Sequence, residues 1–97
     1  MRRKSSPTSE QASVALAMKA LAHPRRMVLF DTLTDAPDGL RFSDLMEMTG
    51  LSDATLSHHL RPMKAARLVN ARRKGNAVIY RLRRDAVDEH LERVLRR

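Results

Sequence analysis

The chain has 97 residues, with 19 Lys and Arg against 11 Asp and Glu for a formal charge of +8, and no cysteine. That length suits one domain with a modest core, and the lack of thiols excludes disulfides, thiolate metal centres and cysteine nucleophiles. No apolar run approaches a membrane span and no signal-peptide stretch follows Met1–Lys4, so a soluble, cytoplasmic protein that engages no membrane is expected.

Residues 1–8, MRRKSSPT, read as a loose basic tail and 9–97 as one folded domain. Ser6 or Thr8 can cap a first helix running to about Leu21, with Val14, Ala17, Met18 and Leu21 at helical spacing. His23-Pro24 breaks it, and Pro24 suits the first turn of a second helix whose core face is Met27, Val28, Phe30 and Leu33. TDAPDG, residues 34–39, is a turn by its Pro, Asp and Gly content. Leu40–Phe42 reads as a short extended segment. Ser43 then caps a brief helix, with Leu45, Met46 and Met48 apolar, that ends at Gly50.

Ser52 caps the next helix, to about Ala66; two short helices joined by a tight glycine turn form a helix-turn-helix pattern. LVNARR and AVIYRL, separated by KGN, read as a β-hairpin over 69–82. Asp85 can cap a last helix carrying Val87, Leu91, Val94 and Leu95 at i, i+4, i+7, i+8. The expected fold class is therefore mainly α (α+β), with about five helices and a two-stranded hairpin. With Phe30, Phe42 and Tyr80 the only aromatics, aliphatic residues must fill the core. Met18, Met27, Met46, Met48 and Met63 read as part of that filling rather than as copper ligands.

The pair His58-His59 raises the possibility of a metal or acid–base site. On a wheel of ~100° per residue, Leu56, Leu60 and Met63 share a narrow buried sector, His58 lies nearly opposite, and His59 sits at the sector's edge. Neighbouring positions do not share a helix face, and helical ligand pairs use i, i+3 or i, i+4. His59 thus reads as a packing residue with one ring nitrogen hydrogen-bonded, and His58 as an exposed donor and acceptor.

Charge is distributed unevenly. From Ala54 to Arg84 there is no Asp or Glu, while Arg61, Lys64, Arg67, Arg72, Arg73, Lys74, Arg81, Arg83 and Arg84 all fall there. The outward face of helix 52–66 is small or polar at Ala54, Thr55, Ser57 and His58, then basic at Arg61 and Lys64. A helix entering a DNA major groove needs that order: small residues permit approach, polar ones reach base edges, cations take phosphates. An ordinary solvated polar helix remains the alternative for this helix by itself.

LAHPRRMVLFDTL, FSDLMEMTGLSDATLSHHLRPMKAARLV and ARRKGNAVIYRL together resemble the ArsR-type winged helix-turn-helix repressors of prokaryotes. The likeness spans roughly residues 12–95 and is strongest in LSDATLSHHL and the hairpin; MarR-like and other small winged-helix regulators share much of the pattern. The resemblance implies a homodimer built from first and last helices, with Val14, Met18, Val87, Leu91, Val94 and Leu95 at its interface. It implies that helix 52–66 enters the major groove of a palindromic double-stranded operator, and that hairpin 69–82 acts as a wing on the backbone or minor groove. Carried over by position, Ser52, Ala54, Thr55, Ser57, His58 and Arg61 face DNA, as do Arg72, Arg73, Lys74 and Asn76 of the wing. Ser57, His58 and Arg61 are the candidates for base contacts. For Ser52, helix capping is an equal alternative to a phosphate contact.

Three features depart from the family pattern. Pro62 removes a hydrogen bond inside the recognition helix, and Arg67 stands where a glycine is frequent. The family's cysteine metal ligands are missing, and Asp88, His90 and Glu92 are spread around the last helix by their i, i+2 spacing. No metal site or cofactor is implied, and no effector can be named. The runner-up function is a winged-helix module that docks a protein partner and has only non-specific nucleic-acid affinity. An enzyme is not expected, because no phosphate loop, nucleophile elbow or metal cluster appears.

Overall fold

The computed structural model describes residues 8–85, and the tail over 1–7 lies outside them. So do residues 86–97, and with them Val87, Asp88, His90, Leu91, Glu92, Val94 and Leu95 of the expected last helix. Four helices and three strands occur among the described residues: α1 (Ser9–Leu21), α2 (Pro24–Thr34), β1 (Leu40–Arg41), α3 (Phe42–Thr49), α4 (Asp53–Ala65), β2 (Val69–Lys74) and β3 (Ala77–Leu82). Arg84 and Asp85 are already helical, so Asp85 lies within the segment it was expected to cap.

Local chemistry sets the helix ends. Thr8 caps α1 reciprocally: the Gln11 N–H donates to Thr8 Oγ1, and the Thr8 N–H to Gln11 Oε1, each at 3.0 Å. His23 caps α2, and Pro24 occupies its first turn. The cap of α3 corrects the sequence reading. Asp44 reaches back to the Arg41 N–H and pairs with its guanidinium at 3.0 Å, which makes Arg41 the N-cap and places Ser43 inside the helix. Gly50 ends α3 at φ 73°, in the left-handed region a turn needs here.

The sheet holds one strand more than the expected hairpin. The β2–β3 hairpin turns through Gly75-Asn76 alone, with Lys74 opposite Ala77, so Lys74 belongs to the strand rather than the loop. Gly75 has φ 62°, as at the first position of a type II′ turn. β1 adds to the free edge of β3 with Leu40 opposite Tyr80, giving the antiparallel order β1-β3-β2.

The core is aliphatic: Leu29, Leu33, Leu45, Leu56, Leu60, Met63 and Leu68 are fully buried, and Ala17, Ala20, Ala66, Val69 and Leu82 complete it. The structure corrects core assignments in three helices: in α1 Ala17 and Ala20 are buried while Met18 is exposed at 58%. In α2 the inward residues are Leu29 and Leu33, four apart, while Met27 and Val28 are exposed at 42% and 54%. In α3 Leu45 is buried but Met48 is exposed at 61%. Met18, Met27 and Met48 are therefore not core filler. A short helix buries one sector only, and these three lie outside it.

Pro62 neither ends nor truncates α4, which continues to Ala65. The helix then closes through a Schellman arrangement, with the Leu68 N–H donating to the Met63 carbonyl and the Arg67 N–H to that of Lys64, both at 2.9 Å. Arg67 occupies the left-handed position at φ 61° with its side chain exposed. A Cβ there costs on the order of 1–2 kcal/mol, partly offset by glycine's greater unfolded-state entropy. Arg67→Gly should therefore raise the melting temperature by about 2–8 °C. Thermal unfolding of the two proteins checks this, and an unchanged or lower midpoint would show no strain at residue 67.

Candidate nucleic-acid interface

α4 is held by its apolar side and its first turn. Leu56, Leu60 and Met63 are buried as the wheel predicts, and seat the helix against α1, α2, α3 and β2. The Ser52 hydroxyl accepts the Thr55 N–H at 3.2 Å and donates to Thr55 Oγ1 at 3.0 Å. Both hydroxyls are thus engaged in the cap, which favours that alternative for Ser52. Asp53 in the first turn complements the positive end of the helix dipole.

The opposite side of α4 carries the remaining candidates. Ala54, His58, Arg61 and Lys64 are exposed, while Thr55 and Ser57 are half-buried on its flanks. Spacings of four, three and three place the exposed four along one stripe. Arg72, Arg73, Lys74 and Asn76 of the hairpin are exposed as well. The structure thus groups the candidates on two supports: a helix packed rigidly into the core, and a hairpin projecting from the sheet. Among the described residues the ion pairs are Arg41–Asp44 and Arg83–Asp85, and neither uses a cation of α4 or the hairpin.

The two adjacent histidines separate as expected in burial, with His58 exposed and His59 only 4% exposed. They are closer than opposed directions suggest, since the rings meet edge to face with centroids 5.3 Å apart. His59 Nδ1 accepts from Arg26 Nε at 3.4 Å. Burial, followed by the charges of His23, Arg26, His58 and Arg25, holds the His59 pKa below the ordinary histidine value. Among the described residues no group of three or more His, Cys, Asp or Glu is arranged so that it could hold a metal ion.

Sequence reading missed a groove between the start of α3 and the hairpin, bordered by Arg41, Phe42, Ser43, Lys74, Asn76 and Tyr80. The Phe42 and Tyr80 rings that line it have centroids 6.0 Å apart, and burial pushes the Tyr80 hydroxyl pKa up. Hydrogen bonds from Arg41 hold the Asp44 carboxyl below the usual carboxylate range. The pairing of β1 with β3 makes this groove, and no local motif announces it.

Among the described residues no helix is long and apolar enough to cross a membrane. Residues 24–71 match the model of the bacterial regulatory protein arsR family. The chain is 32% identical over 81 residues to the HTH-type transcriptional regulator YgaV of Escherichia coli, covering 84% of this chain and 79% of that protein. It is 34% identical over 71 residues to the arsenical resistance operon repressor of Staphylococcus xylosus, covering 73% and 66%. The solution structure of the homodimeric winged helix-turn-helix DNA-binding domain Mb0332 of Mycobacterium bovis superposes with a TM-score of 0.75. That match has 30% identity and covers 98% of this chain and 89% of that domain. The arrangement of α3, α4 and the three-stranded sheet is that of a winged helix-turn-helix, and the protein belongs to the ArsR family of DNA-binding transcriptional regulators, a family of regulators and not of enzymes.

Proposed function

We propose that the protein is a homodimeric, sequence-specific repressor that occupies a palindromic operator and so blocks a promoter. One α4 enters each of two successive major grooves, and each β2–β3 wing lies along the flanking backbone or minor groove. The observation that carries this reading is the exposed stripe Ala54, His58, Arg61, Lys64 on a helix whose other side is wholly buried. Such a helix can dock without disturbing the core.

Ser57, His58 and Arg61 read base edges, with Ala54 and Thr55 allowing close approach. Lys64, Arg72, Arg73, Lys74 and Asn76 take phosphates and groove edges. Ser52 acts by capping the helix. Exposed Leu16, Met18, Met27 and Val28, with half-buried Val14, leave apolar surface on α1 and α2 that a second copy would cover. Val87, Leu91, Val94 and Leu95 of the expected last helix would join them. The Mycobacterium domain is homodimeric and the Staphylococcus relative is a repressor, which supports extending both properties to this chain. A DNA-bound repressor works in the cytoplasm.

Selection of bound duplexes from a random DNA library tests the proposal. The expected product is an inverted repeat with half-sites about one helical turn, ~34–36 Å, apart. His58→Ala and Arg61→Ala should each relax base preference at specific positions, at a cost of about 1–3 kcal/mol for a lost bidentate contact. Failure to recover any consensus would favour the protein-docking alternative.

A further inference from the structure

Where α4 rests on the junction of α1 and α2, three imidazoles meet. The rings of His23 and His59 lie 4.6 Å apart, and that of His58 lies edge-on to His59. Two of these rings accept hydrogen bonds through Nδ1. His23 Nδ1 accepts the Arg25 N–H at 3.2 Å and so caps α2, while His59 Nδ1 accepts Arg26 Nε–H at 3.4 Å. A nitrogen that accepts carries no proton, so each of these bonds requires an unprotonated Nδ1. Arg26 is itself tied to α1, its Nη1 donating to the Ala20 carbonyl at 3.5 Å.

The ionisable groups bearing on His59 are His23 at the junction, Arg25 and Arg26 of α2, and His58 of α4 itself. Each would carry positive charge when protonated. Among the described residues the carboxylates that form ion pairs are Asp44 and Asp85, and neither pairs with this cluster.

We propose that His23, Arg26 and His59 form a proton-sensitive latch that seats α4 on α2 when neutral and loosens in mild acid. A proton on His59 Nδ1 removes the acceptor for Arg26 and sets two cations in contact. A proton on His23 Nδ1 removes the α2 cap. The buried position of His59 opposes its charging, and the neighbouring cations oppose it further. The folded state thus binds fewer protons than the unfolded chain once pH nears the ordinary histidine pKa of ~6.5. The latch's contribution is complete above that value and is lost as pH falls through ~6.5 towards the lowered folded pKa. The latch concerns the seat of α4 and does not depend on what that helix binds.

The test uses the full chain at constant ionic strength, with melting temperatures at pH 7.5 and 5.5 and a histidine-ring NMR titration. The wild type should lose about 4–8 °C on acidification, corresponding to a modest loss of stability, and His59→Gln should lose clearly less. His23→Asn, which keeps a capping side chain, should fall between them. In the titration, one wild-type ring should protonate below the ordinary histidine range, and its resonance should vanish in His59→Gln. Equal acid losses in wild type and His59→Gln would overturn the latch. So would a wild-type spectrum in which every ring titrates at or above the ordinary value, a reading that stands even if the variant does not fold.

Discussion

Raising salt from 50 to 200 mM should weaken operator binding by about 10³–10⁵-fold, the largest effect expected of this protein. In the proposed dimer each subunit offers Lys64, Arg72, Arg73 and Lys74 as exposed cations for phosphates, and two copies fall within the ~6–10 phosphate contacts that give such a fall. Every phosphate neutralised releases condensed counterions, so the logarithm of affinity falls linearly with that of salt. Removing one wing cation with Arg73→Ala takes away two contacts per dimer and should reduce the slope by about two, uniformly across sequences. Arg61→Ala should instead change base preference. Fluorescence anisotropy on a fixed duplex at several salt concentrations measures both. A flat salt response would mean that the basic stretch does not lie on phosphates.

The second large effect concerns stability. Gly39→Ala should cost about 2–5 kcal/mol, a large share of the 5–15 kcal/mol typical of a domain. Gly39 has φ 93°, where a Cβ is strained. A Cβ built there would stand 2.7 Å from Ile79 Cγ2 and 2.9 Å from the Tyr80 carbonyl oxygen. The backbone cannot retreat, because Gly39 N–H closes the preceding turn on the Ala36 carbonyl at 2.8 Å and Leu40 pairs at once with Tyr80. The variant should melt at least about 10 °C lower, with β1 detached and the groove beside α3 disturbed. Circular dichroism melting checks the first and amide exchange at Leu40–Tyr80 the second. A loss under ~1 kcal/mol would show that the turn can rearrange. Gly50 and Gly75 make no comparable demand, since nothing lies near a Cβ at either position.

Much of the architecture is legible in the sequence because its cues are local. Thr8, Pro24, Gly50 and Ser52 mark helix boundaries through chemistry within a few residues, and Gly75-Asn76 marks the hairpin turn. The buried stripe of α4 follows from periodicity, and its outward stripe follows from the buried one. Periodicity was less informative in α2 and α3. When apolar residues outnumber the width of one sector, pattern alone does not say which of Val28 and Leu29, or of Leu45 and Met48, turns inward.

The sequence by itself thus determined a helix-turn-helix followed by a basic hairpin, with Ala54, His58, Arg61 and Lys64 on one side of a helix. Periodicity, capping and charge act between neighbours a few residues apart, so they can be read along the chain. Only the tertiary structure decided that β1 joins β3, that Leu29 rather than Val28 enters the core, and that His23 and Arg26 meet His59. Those contacts join residues more than 30 positions apart in the cases of β1 with β3 and Arg26 with His59. Such pairs are selected by which packing buries the most apolar surface while leaving buried polar atoms bonded, a balance struck over the whole domain.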